Sequence, residues 1–199
     1  MSYLTLKKPV TARLEIKKSE FLAYAYPISS REQAMFHVKQ LHEKYPDARH
    51  WCWAYIIGDP DNTTSAGFDD DGEPSGTAGR PILNVLQHKS IGNIIIIVVR
   101  YFGGIKLGAG GLTRAYAGVA QAAVDQMVLL PFVPMAQVQI LADFAHESQC
   151  RYVVEHLNGS IDEVTYSKQV TLTVTIAQAA IENLKIQLAM AGKVLVADE

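Results

Sequence analysis

The chain is short of several things, and each shortage excludes a class of protein. It has two cysteines, Cys52 and Cys150, far apart in sequence, with no Cys-x-x-Cys and no paired Cys/His spacing. That rules out a disulfide framework and a structural zinc site, and leaves two free thiols of a reducing compartment. No run approaches the roughly 18 uncharged apolar residues of a membrane span, and the first residues lack the apolar core of a signal peptide, so the reading is cytoplasmic with no membrane partner. The most telling shortage is of acid. Between Pro74 and Val124 there is no Asp or Glu, only Arg80, Lys89, Arg100, Lys106 and Arg114.

What is present stands out against that background. The net charge is −2, yet the middle segment is purely basic and encloses a glycine-rich run, Phe102-Gly-Gly-Ile-Lys-Leu-Gly-Ala-Gly-Gly-Leu-Thr-Arg114. Residues 1–73 carry nine Lys/Arg against eleven Asp/Glu, and residues 125–199 carry four against nine. The chain as a whole is therefore no general polyanion binder, and any nucleic-acid contact must be local to the middle. Exposed backbone amides beside Lys and Arg make a site for anions. The candidate set is Arg80, Arg100, Gly103, Gly104, Lys106, Gly110, Gly111 and Arg114. Glycines that merely allow a tight turn are the plainer alternative.

Length suits one large or two small domains at ~100–200 residues each. Arg13–Tyr26 alternates as a long strand or a hairpin, and Ser29-Ser30-Arg-Glu-Gln caps a helix that runs to about Lys44. Trp51–Ile57 reads as a strand, and Asp59–Gly67 as a polar loop. Pro81 sits in the first turn of a helix that continues to about Gln87. Asn93–Val99 is nearly all β-branched with no polar face, which marks a central strand covered on both sides. A helix follows from Leu112 to about Val128, with Gly118 allowing close packing.

Pro131-Phe-Val-Pro134 reads as a linker, dividing the chain into 1–130 and 135–199. Beyond it come a strand over 136–141, a helix from Asp143 as its cap to about Leu157, and a hairpin of 160–166 with 169–176. A helix over 178–191 and a strand over 192–197 complete the order βαββαβ. That order is the ferredoxin-like arrangement, and the fold class is α+β. Architecture alone decides no function.

Other chemistry is weakly marked. Asp69, Asp70, Asp71 and Glu73 could hold a hard divalent ion, but Pro74 stands where a calcium loop needs glycine; a solvated turn or a partner for Arg80 is the simpler reading. His50 and Cys52 share a strand face, as a core pair or a reactive one. Ser75 and Thr77 lack a base. The glycine run is no Walker loop and lacks the third glycine of a dinucleotide fingerprint, so no cofactor is implied.

Two longer stretches, Asp70-Asp-Gly-Glu-Pro-Ser-Gly-Thr-Ala-Gly-Arg-Pro81 and Val98-Val-Arg-Tyr-Phe-Gly-Gly-Ile-Lys-Leu-Gly-Ala-Gly-Gly-Leu-Thr-Arg-Ala-Tyr116, closely resemble the IMPACT family in its bacterial YigZ-like branch. Lys17-Lys-Ser-x-Phe21 and His50-x-Cys52-x-Ala-Tyr55 are similar to it as well, while Glu20 stands where many members carry Arg. The resemblance implies an N-terminal domain like ribosomal protein S5 domain 2, a βα sandwich, and a C-terminal domain like the ferredoxin-like domains of elongation factor G. It also implies an association with translation, since eukaryotic members regulate translation by competing for a protein partner.

Three functions stay open at this point. The first is a non-catalytic regulator that binds RNA, the ribosome or a translation-linked partner through the basic groove, with Tyr101, Phe102 and Tyr116 available for base stacking. The second is a protein-interaction module that uses the loop as an epitope. The third is an enzyme acting on a phosphorylated small molecule, for which no convincing base or metal set is visible.

Overall fold

Six consecutive residues of the apolar run, Ile94 to Val99, are completely buried in the computed structural model, which describes residues 3–196. Each contributes about 1.5–3 kcal/mol by leaving water. A strand buried on both faces needs cover on both, and the rest of the first half supplies it.

The strands of this half are β1 (Leu4–Leu6), β2 (Val10–Ile16), β3 (Ser19–Pro27), β4 (His50–Asp59), β5 (Asn62–Asp69), β6 (Ile91–Gly92), β7 (Ile94–Tyr101) and β8 (Leu129–Pro131). Its helices are α1 (Arg31–Lys44), α2 (Gly79–His88) and α3 (Ala109–Val124). Five strands form one antiparallel sheet in the order β2-β3-β7-β4-β5, with β7 central. Helices α2 and α3 cover one face, where Phe21, Cys52, Ile82, Ile96, Val98 and Tyr116 pack. Helix α1 covers the other, over Ile95, Ile97, Val99 and Tyr55.

The local reasons are legible. Lys17 and Lys18 both take positive φ (47° and 63°), the two-residue turn whose twist suits a hairpin, so Arg13–Tyr26 folds back on itself as β2 and β3. Ser30 accepts from the Gln33 amide at 3.3 Å as the N-cap of α1, and Gln33 Oε1 reaches back to accept from the amide of Ser29, one residue before the cap, at 2.8 Å.

Three expectations for this half need correction. Asp59–Gly67 is no loop: β5 pairs with β4 from Asn62 onward, and its polarity is that of an edge strand with one open side. Helix α3 ends at Val124, and Leu129 pairs with Leu6 in a small sheet of order β6-β1-β8. Gly118 has ordinary room; a methyl group there would sit 3.7 Å from Leu14.

The chain divides into two compact units, 1–132 and 133–199. The second holds β9 (Met135–Ala142), α4 (Glu147–His156), β10 (Ser160–Tyr166), β11 (Val170–Ala177), α5 (Ile181–Gln187) and β12 (Gly192–Val196). Its antiparallel sheet runs β10-β11-β9-β12, with Val170, Leu172, Val174 and Ile176 all buried on the helix side. Asp143 does not cap α4 through its side chain; a short 3₁₀ turn over Phe144–His146 intervenes. A second such turn over Gln178–Ala180 precedes α5. The last residue expected in the final strand, Ala197, lies outside the described residues.

Candidate functional site

The acid-rich turn and the glycine loop flank one cavity of about 280 Å³ in the first unit. Glu73 and Pro74 line it from the turn, Arg100 from the end of β7, and Phe102, Lys106 and Leu107 from the loop. Gly108, Ala109 and Leu112, at the start of α3, close it.

The turn is held by its own carboxylates. Asp70 accepts from the amides of Gly76 (2.7 Å), Ala78 (2.9 Å) and Gly79 (2.8 Å), so a carboxylate borrowed from upstream caps the N-terminus of α2. Asp71 accepts from the Trp51 amide and Asp69 from the Asp71 amide, each at 2.7 Å. Every carboxylate of the cluster thus has work inside the chain. No group of three or more His, Cys, Asp or Glu among the described residues is arranged to hold a metal ion.

Glu73 goes elsewhere. Its side chain is 4% exposed and pairs with Arg100, itself 6% exposed. This corrects two expectations: Arg80, exposed on α2, is not the partner of the acid cluster, and Arg100 is not a free base. A buried arginine needs a carboxylate, and Glu73, one residue before the acid-free stretch, supplies it.

A polar network surrounds this ion pair. Tyr116 donates to Glu73 Oε1 at 2.8 Å, and the Cys52 thiol lies 3.3 Å from the Tyr116 oxygen and 3.0 Å from the Asp70 carbonyl. His50 Nδ1 donates to the Asp71 carbonyl at 2.7 Å, which leaves Nε2 facing Glu73 Oε1 at 3.9 Å. Ser19 lies 3.5 Å from Arg100 Nη2 and accepts from the Gly103 amide at 3.2 Å, joining the hairpin to the loop. Burial pushes the Cys52 thiol and the Tyr116 phenol well above their ordinary pKa values. Both stay protonated, and Cys52 is no thiolate nucleophile.

One buried atom of the network lacks a partner among the described residues. Arg100 Nε is buried without an acceptor. All hydrogen bonds to Glu73 among the described residues fall on Oε1, and Oε2 is not among the buried unpaired atoms.

The glycine loop has a different logic. Gly103 lies against the hairpin turn, where a Cβ would come within 2.0 Å of the Lys18 carbonyl, so only glycine fits. Gly108 precedes α3 at φ 71° with open space around it; its conformation, not crowding, selects glycine. Having no side chain, Gly108 cannot cap α3. The first intrahelical bond runs from the Leu112 amide to the Gly108 carbonyl, and the amides of Ala109, Gly110 and Gly111 have no acceptor among the described residues. The Arg114 guanidinium lies alongside this turn, 3.7 Å from where a Cβ on Gly110 would stand.

Of the residues singled out from sequence, Arg100 and Lys106 line the cavity, Gly103 and Gly104 shape the loop, and Gly110, Gly111 and Arg114 form the first turns of α3. Arg80 does not line it. Phe102 is 47% exposed and free to stack, whereas Tyr116 is fully buried with its hydroxyl on Glu73, so it offers no face to a base. Sequence reasoning missed Glu73, Ser19 and Tyr116 as a unit. The available signal was the acid depletion itself, which leaves a buried Arg100 no carboxylate inside its own segment.

The fold and site define a two-unit α+β protein whose first unit presents a glycine-loop cavity at an uncapped helix start. The model of the Impact N-terminal domain matches residues 17–124, which hold the whole cavity. The chain is 36% identical over 188 residues to the IMPACT family member YigZ of Escherichia coli, covering 94% of this chain and 92% of that one. It is 34% identical over 169 residues to the IMPACT family member YvyE of Bacillus subtilis (85% and 77%). A crystal structure described as that of a hypothetical protein superposes with a TM-score of 0.75 at 33% identity, covering 100% of this chain and 98% of its own. The chain belongs to the IMPACT family, with bacterial YigZ-like relatives along nearly its full length.

Proposed function

We propose that this chain is a translation-associated regulator without chemistry of its own, and that it holds an anionic group of RNA, the ribosome or a translation-linked partner at the start of α3. The observation that carries the reading is the uncapped helix. Three unpaired amides meet a lining Lys106 and a flanking Arg114, in a segment with no acid, and such a terminus favours an anion. Family membership supports the link to translation. The same reading takes unit 1–132 as an S5 domain 2-like βα sandwich and unit 133–199 as a ferredoxin-like domain. The strand order β10-β11-β9-β12 supports the second assignment. No helix among the described residues is long and apolar enough to cross a membrane.

Co-sedimentation with ribosomes and with free RNA over a salt series tests the reading. Binding is expected to weaken steeply with salt, because phosphate contacts release counterions, and to vanish in Lys106→Glu/Arg114→Glu. Both side chains are exposed, so the double variant is expected to keep its fold. Undiminished binding by that variant overturns the site.

A further inference from the structure

The hairpin turn between β2 and β3 carries an unusual pair of residues. Lys17 and Lys18 both hold left-handed backbone, at φ 47° and 63°, in a two-residue turn closed by the pairing of Ile16 with Ser19. Such turns favour Asn-Gly, because a residue with a full side chain is crowded at positive φ. Two consecutive lysines therefore sit where the local backbone disfavours them, and an outlier of this kind points to a use for the side chains.

The turn is also fixed against the glycine loop. A Cβ on Gly103 would come within 2.0 Å of the Lys18 carbonyl, and the Gly103 amide donates to Ser19 Oγ at 3.2 Å. Strand alternation then sorts the charges of the hairpin. Ser19 and Phe21 face the side covered by α2 and α3, where Arg100 and the core cluster of Phe21 lie. Glu20 faces the other side with Leu22 and pairs there with Arg13, and Glu15, opposite Glu20 in the register, shares that face. The acids of the hairpin thus point away from the loop. Lys17, Lys18, Lys106 and Arg114 are all exposed, and none makes an ion pair among the described residues.

Between these cations the surface is glycine and apolar. Gly104 and Gly108 have open space around them, so a phosphate backbone can approach closely. Phe102 and Ile105 are exposed, and the acid of this corner, Glu73, is buried and neutralised by Arg100. Cations spread over three segments around an exposed ring match a single strand, which offers phosphates and base faces in turn. An acidic protein segment would meet the cations without needing the ring.

We propose that Lys17 and Lys18 extend the α3 anion site into a track for a single strand of nucleic acid, with phosphates on the hairpin turn, Lys106 and Arg114 and a base stacked on Phe102. This rests on the reading of the α3 start as an anion site, and it names a strand of several phosphates as the partner.

Fluorescence anisotropy of a short labelled oligouridylate over a salt series tests the proposal. Log affinity against log salt is expected to fall with a slope of about −2.8 for the parent, four single-strand phosphate contacts at ~0.7 each. Lys17→Asn/Lys18→Gly is expected to reduce the slope to about −1.4. The same variant is expected to melt roughly 2–4 °C higher, as the turn gains the residues it favours. Lys17→Arg/Lys18→Arg keeps both charges and is expected to bind as the parent does. Phe102→Ala is expected to weaken binding about tenfold with the slope unchanged. A parental slope in the Asn-Gly variant overturns the part given to the hairpin; if Lys106→Glu/Arg114→Glu nonetheless abolishes binding, the anion site at α3 stands alone. Weakened binding in the Asn-Gly variant beside undiminished binding by Lys106→Glu/Arg114→Glu overturns the α3 reading and the joined track with it. No binding of oligouridylate at low salt overturns the strand. So does polyglutamate bound as tightly as oligouridylate with Phe102→Ala altering neither, which would favour an acidic protein segment instead.

Discussion

Two helices of the first unit begin in the same neighbourhood and treat their first turn in opposite ways. Helix α2 has its leading amides, Ala78 and Gly79, satisfied by Asp70, eight and nine residues upstream. Helix α3 has Gly108 in the capping position and no carboxylate at its leading amides. The physics of the two termini is identical, an end rich in positive charge that prefers an anion. At α2 the chain supplies that anion itself, and the result is a rigid turn. At α3 it supplies none, and Lys106 and Arg114 stand close by, which is the contrast on which the proposed anion site rests.

Breaking the turn side gives the largest expected effects. Glu73→Ala leaves Arg100 buried without its partner and is expected to cost about 3–5 kcal/mol in denaturant unfolding, the range for one member of a buried ion pair. Asp70→Asn weakens the acceptor for three amides; half-buried as it is, about 2 kcal/mol is expected in the same measurement. Loss of less than about 0.5 kcal/mol in either variant would mean the turn is not held as described.

The loop side is expected to respond in the opposite sense. Ala109→Glu gives α3 an anion of its own, so stability is expected to stay level or rise by about 0.3–1 kcal/mol while binding of phosphate and RNA falls. A variant that binds as well as the parent would show that α3 and α2 do not differ in the way proposed. The smallest effect concerns pH. Burial raises the Cys52 thiol above its ordinary value, so protonation favours the fold below the unfolded thiol's pKa, and that contribution declines as pH rises past it. In the native protein Cys52 is expected to resist alkylation at mildly alkaline pH and to react on unfolding, as followed by mass spectrometry.

Much of the frame was legible from residues alone. The β-branched run Ile94–Val99 announces a strand buried on two sides, and Ser30 with Gln33 announces the start of α1. Both signals are local in sequence, and so both were readable. The small sheet of β1, β6 and β8 was not, because its pairing joins residues more than eighty positions apart and no local period encodes it. Strand β5 was missed because an edge strand can be as polar as a loop. At the site, the glycines and bases were visible as types, but the partner of Arg100 was not. The choice of Glu73 over its neighbours is set by where β7 ends and the turn folds, a matter of three-dimensional register rather than spacing.

The most direct test of the contrast is a backbone-amide NMR titration with inorganic phosphate, reading α2 and α3 in one experiment. The account predicts saturable shifts at Ala109, Gly110 and Gly111, with Ala78 and Gly79 unmoved because Asp70 already occupies them. Shifts confined to residues away from α3, or no shifts at all, would contradict it.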